Sequence, residues 1–219
     1  MSSSKTKPKK IRRTNEERTA QTRGRLIDAT IELLYEGGSA ATTTISVAER
    51  AGVSRGAMMH HFRSRAELLL VVARFILDEQ RRERVEKLAN AGHGLDRFYA
   101  AADVSWAVHR QPSTVAFLEI IMATRSDPDL RKGMQPLIEL IPQMRKQAAE
   151  RMAADLPTQD VVKINHLLRL HQAALRGLAI ELMFSRDEAD IEATRGLLVQ
   201  YERDFVQKIV RPNKRKRAK

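Results

Sequence analysis

Residues 42–68 read TTTISVAERAGVSRGAMMHHFRSRAEL, and the group best suited to chemistry there is Ser54-Arg55-Gly56-Ala57 with His60-His61 close behind. Ser is a good N-cap, so a short helix is expected to begin at Ser54. Arg55 presents a planar fork of donors that matches phosphate or the O6/N7 edge of guanine. Gly56 and Ala57 are small enough for close backbone approach. Gly52 supplies the positive φ that ends the preceding helix, and Val53 plugs the turn. Ala51 lets the two helices cross closely. Met58 and Phe62, four apart, face the core. Arg55, Gly56, Ala57, Met59, His60 and His61 are left nearer the outer face. This is the chemistry of a helix that enters the DNA major groove. Thr43 and Thr44 open the first helix of the pair and could grip phosphate. So could Arg65, in the first turn of a helix with Ser64 and Glu67 at capping-box spacing. A solvated surface is the plain alternative for Arg55 and His60. Metal is disfavoured, because adjacent helical side chains point about 100° apart.

Other chemistry is absent from the pattern. The chain has no cysteine. No HExxH, GxSxG or P-loop pattern occurs, and His166 and His171 are five apart rather than four. No catalysis, cofactor or metal is expected. His171 interrupts an apolar three-four repeat from Val161 to Leu182, as a hydrogen-bonded core histidine or a pocket-lining one. Leu95, Phe98, Tyr99, Ala102, Trp106 and His109 share one helical face, which plain core packing would explain for most of them.

The elements that must position these residues are helices. Apolar residues recur at three and four, and period-two runs are missing, so the chain is read as all-α. Helices are expected at about 17–36, closed by Gly37-Gly38, at 44–51, from Ser54 to Phe62, and from Arg65 to Ala89. Five more are expected at about 95–110, 112–125, 127–154, 158–184 and 187–210. Asp127-Pro128 reads as an N-cap followed by proline at the first helical position. Pro136 and Pro142 predict a kink or a split in the seventh.

The 219 residues carry a formal net charge of +12. Residues 1–25 hold nine Lys/Arg against Glu16 and Glu17, and residues 211–219 hold six with no acid. Residues 26–210 therefore carry a net of −1. Two basic tails on a near-neutral body favour a polyanion such as nucleic acid. A membrane partner is not expected, because Ile11 is the first tail's only sizeable apolar anchor. With no secretory pattern and no spanning apolar run, a cytoplasmic location is expected.

Over about Arg23 to Leu70 the chain resembles the TetR family of regulators, most specifically in AERAGVSRGAMMHHF followed by Arg65. The resemblance implies a helix-turn-helix DNA-binding domain (17–66) and a ligand-binding and dimerisation domain (67–210), between a basic tail expected to be disordered from its composition (1–16) and a basic C-terminal tail (211–219). It implies a homodimer on a near-palindromic operator, a repressor released by a small, largely apolar effector, and no enzyme. Carried over by position, Arg55, Ala57 and His60 face base edges, and Thr44, Ser54, His61 and Arg65 hold phosphates. Met59 stands where the family usually has Tyr and cannot donate to phosphate. Trp106, His109, Phe117, Ile121, Met122 and His171 are the implied pocket residues. Leu175, Leu178, Leu182, Leu198, Tyr201 and Phe205 are the implied dimer interface. The alternative is an architectural DNA-binding protein of the same fold with no effector.

Overall fold

The computed structural model describes residues 14–156, 158 and 160–210. Among these residues the protein is nine helices and no strand: α1 (Asn15–Ala41), α2 (Thr44–Ala51), α3 (Arg55–His61), α4 (Arg65–Lys87), α5 (Gly94–His109), α6 (Pro112–Ala123), α7 (Pro128–Asp155), α8 (Val161–Glu181) and α9 (Glu188–Val210). No helix among them is long and apolar enough to cross a membrane. The basic segments 1–13 and 211–219 lie outside the described residues.

Most of the helices begin at a side-chain cap. Thr14 accepts from the Glu17 N–H while Glu17 reaches back to the Thr14 N–H, so the first helix starts inside the expected tail. Thr43 and Ser46 repeat that reciprocal cap on α2. Ser54 caps α3 through the Ala57 N–H, and Asp127 caps α7 through the Leu130 N–H. Ser64 caps α4 as expected, but Glu67 bonds the Arg63 N–H (2.7 Å) rather than completing a box. Such caps contribute about 1 kcal/mol each.

One expected helix stop and one expected split are corrected. The chain bends at Gly38 (φ 70°, ψ −177°), yet helical residues continue to Ala41 instead of stopping at Gly37-Gly38. α7 is not split: Pro136 and Pro142 sit inside one helix of 28 residues, and both side chains face solvent.

The main core joins both ends of the molecule. Leu26, Leu34, Val47, Met58, Phe62, Leu68 and Leu69 bury together with Ala116 and Ile120 of α6 and Leu130 and Met134 of α7. α1 therefore packs on α6, and α4 on α7. A Cβ on Gly133 would come within 2.4 Å of Leu70 Cδ1, so a larger residue there would require the Leu70 side chain to shift. Two smaller clusters fill α5, α7, α8 and α9.

Gly38 occupies a backbone region that is essentially closed to other residues, and a Cβ there would also meet Glu119 Oε2 at 3.1 Å. Gly24, inside α1, has open space around it. Gly38→Ala should lower unfolding free energy by about 1–3 kcal/mol. Gly24→Ala should raise it by up to about 1 kcal/mol. Equal effects in chemical denaturation would contradict this reading of the bend.

Candidate DNA interface and effector interior

α2 and α3 form a bihelical turn held from behind. Gly52 adopts the left-handed conformation (φ 63°, ψ 41°) between them, with its N–H on the Ala48 and Glu49 carbonyls. Arg25 of α1 donates to the Ala51 carbonyl and, at 3.3 Å, to that of Gly52. Arg50 ties α2 to Glu32 (3.2 Å) and Glu36 (2.6 Å) on α1. Met58 and Phe62 are fully buried, and Arg23 lies over the Phe62 ring at 4.8 Å. Anchored on that side, α3 turns its other face outward. Arg55, Gly56, Met59 and His60 are exposed, and Ala57 and His61 half-buried. Burial, then the charges of His60 and Arg23, hold His61 below the ordinary imidazole range, so it is neutral at pH 7.

Thr43 and Ser54 are exposed and Thr44 is half-buried. The oxygens of Thr43 and Ser54 accept from helix N–H groups.

Arg65 is placed differently from the sequence expectation. Its Nε donates to the Thr42 carbonyl (2.7 Å), and Nη2 donates to the Ser39 carbonyl (2.6 Å) and Oγ (2.7 Å). Nη1 lies 3.7 Å from Asp127 Oδ2, at the N-cap of α7. The guanidinium is committed to joining α1, α4 and α7 and is not aimed outward as a phosphate grip. Beside it, Glu119 of α6 accepts from the Ser39 N–H at 2.8 Å. Neither tie has a signal in local spacing, because each partner is set by tertiary packing.

The expected pocket residues do not converge. Trp106 is buried, but its indole N–H donates to Glu192 of α9 (2.7 Å), and Arg110, which pairs with Glu188 and Glu192, lies over the ring. Phe117 and Ile121 pack on the α1–α4 core rather than opposite Trp106. Met122 is 54% exposed, so it cannot wall an interior site. His109 and His171 remain in the interior. His109 Nδ1 donates to the Ser105 carbonyl (2.7 Å), and burial pushes its pKa down to about 4. His171 of α8 pairs with Glu202 of α9, both buried.

The expected interface residues also divide. Leu175 and Leu178 are buried in their own chain against Trp106 and Ile191, so they cannot present a face to a second copy. Leu182 and Leu198 pack partly on that cluster. Tyr201 (68%) and Phe205 (36%) are exposed, together with Val162, Leu170, Ile180 and Phe184 of the α8 side and Leu197 of α9. Sequence periodicity found the apolar stripes, and on α8 the residues it named at 175 and 178 face the core of their own chain.

Residues 26–72 match the family described as bacterial regulatory proteins, tetR family. The chain is 28% identical to the HTH-type transcriptional regulator CymR of Pseudomonas putida over 202 residues, covering 91% of this chain and 98% of that one. It is 46% identical to the HTH-type transcriptional regulator TtgR, also of Pseudomonas putida, over 59 residues, 27% of this chain and 28% of that one. Residues 26–72 of this protein form a TetR-family domain. Two solved structures share the fold of the chain. A TetR family transcription regulator from Marinobacter aquaeolei VT8 superposes with a TM-score of 0.60 at 14% identity, covering 84% of this chain and 97% of that one. A Saccharomonospora viridis protein, solved in complex with choline, superposes at 0.64 and 15% identity, covering 86% and 96%.

Arg55 is exposed and makes no ion pair among the described residues. Arg55→Ala should cost about 1–3 kcal/mol on the cognate site, the worth of one bidentate base contact. The same affinity and footprint for both proteins would remove Arg55 as a reader.

Proposed function

We propose that the protein is a homodimeric, effector-responsive repressor acting in the cytoplasm. The observation that carries this reading is the outward face of α3, anchored by Met58 and Phe62 in the core behind it. α1–α3 form the DNA-binding domain, and the helices from α4 onward form the effector and dimer domain. Arg55, Ala57 and His60 read base edges. The Thr43, Thr44 and Ser54 hydroxyls and neutral His61 hold phosphates, with the basic tails adding sequence-independent attraction. Met59 supplies apolar contact in place of a donor.

Two copies pair through α8 and α9. Val162, Leu170, Gly177, Ile180 and Phe184 fall on one side of the α8 stretch, spaced by eight, seven, three and four residues, and Leu197, Tyr201 and Phe205 line up on α9 at four-residue spacing. A Cβ on Gly177 or Gly196 would meet nothing within 4 Å, so a partner helix can approach closely. Such a pair would set two α3 helices about 34–36 Å apart, one turn of DNA. An effector that favours a different spacing releases the operator only by its differential affinity for the two states.

Leu170→Glu with Leu197→Glu should give monomers in sedimentation, with folded helical content retained and operator affinity lost. Sequence selection with the native protein should return a near-palindrome. Persistent dimers in the double variant, or a selection without symmetry, would contradict the reading.

A further inference from the structure

The apolar interior of the effector region is in separate pieces. Ile164 and Leu167 of α8 belong to one cluster with Phe98, and Leu175 and Leu178 to another with Trp106. His171 comes between them on the same helix. Around this break lie three half-buried guanidiniums: Arg84 of α4, Arg145 of α7 and Arg176 of α8. α4 and α8 both pack on α5 and on α7, which brings the three elements to one place. His109 of α5 feels the charges of Arg84 and Arg176, and Arg176 feels that of Arg145.

Like charges withdrawn from water need compensation, and the protein supplies little: Arg84 feels the attraction of Glu83, while the charge that Arg176 feels is that of Arg145. None of the three guanidiniums has a hydrogen bond or ion pair among the described residues. Glu83, the neighbour of Arg84, attracts it but is shared with Lys87 (2.8 Å) and Gln111 (2.7 Å). Glu202 is paired with His171. Burial pushes the guanidiniums of Arg84 and Arg176 below their ordinary range, which is the mark of a charged form poorly served by its surroundings. Arg145 Nε, Asn165 Oδ1 and His171 Nε2 are also buried without a hydrogen-bond partner among the described residues. Orphaned polar atoms of this kind on two adjacent helices are costly to leave unmet.

We propose that the effector is a small organic anion, a carboxylate or its equivalent, held at its charged end by Arg84, Arg145 and Arg176 and at its apolar end by the flanking Phe98 and Trp106 clusters. The inference rests on the effector-responsive reading above and revises its sequence-based expectation of a largely apolar ligand. A carboxylate accepts bidentate, charge-assisted bonds from guanidiniums, and it cancels their mutual repulsion where screening by water is reduced. It would bind three helices at once. One of them, α4, begins at Arg65.

The test has two arms, both on the full-length protein. In the free protein, Arg145→Met and Arg176→Met should each raise Tm by a few degrees, because each removes an uncompensated charge. A fall in Tm for both would mean that the guanidiniums serve the fold, and the proposal would be overturned. In the second arm, millimolar octanoate and phenylacetate should raise the Tm of the native protein and weaken operator binding at least tenfold, and Arg145→Met should abolish both effects. Octanamide, phenylacetamide and choline should do neither. If the amides or choline match the acids, the anion assignment fails while effector response stands. If no compound of any class shifts Tm or releases DNA, both readings fail.

Discussion

The guanidinium of Arg65 sits where three helices meet, and the geometry of the DNA-reading end depends on what it holds. Arg65 donates to the Ser39 and Thr42 carbonyls at the end of α1 and lies 3.7 Å from the carboxylate that caps α7. Charge-assisted bonds of this sort are worth about 1.5–3 kcal/mol each when partly withdrawn from water. They fix where α1 ends relative to α4, and α2 and α3 follow directly from that end. The Gly38 bend and the Glu119 bond to the Ser39 N–H close the same joint from the α6 side. Above it, the shared core of α1, α4, α6 and α7 leaves no apolar gap between the reading end and the body.

This joint gives the proposed effector interior a route to DNA. Arg84 and Arg65 occupy opposite ends of α4, nineteen residues and about 28 Å apart at the usual helical rise. A ligand that draws Arg84 toward α7 and α8 moves a rigid rod whose other end holds the last turn of α1. Gly133, which lets α7 lie against Leu70, sits between the two ends, so a shift at one is carried by close packing rather than absorbed in a void.

Much of this was legible in the sequence where the governing physics is local. Periodicity placed the nine helices of the described residues to within a few residues, and the caps at Ser54, Ser64 and Asp127 and the turn at Gly52 fell where their side chains and φ values require. Burial of Met58 and Phe62 followed from their four-residue spacing. What spacing could not give was the direction in which a polar side chain turns when several partners compete. Arg65 reads as a surface cation at a helix start, yet free carbonyls at the end of α1 claim it. Trp106 reads as a pocket residue, yet Glu192, eighty-six positions on, takes its N–H. Leu175 and Leu178 lie on an apolar stripe, but α8 has apolar residues on both sides, and only tertiary packing separates core from outer face. Arg84, Arg145 and Arg176 belong to three helices and share no motif, so their gathering appears only once those helices are packed.

The most direct measurement of the joint uses the absence of cysteine in the chain. Glu49→Cys, on the exposed face of α2, gives a single site for a nitroxide label, and pulsed electron resonance reads the distance between the two labels of a dimer. With Arg65 intact, the operator-bound protein should give one narrow distance; with Arg65→Ala, a broad distribution and weaker operator binding. An unchanged narrow distance in the Arg65→Ala protein would contradict the account.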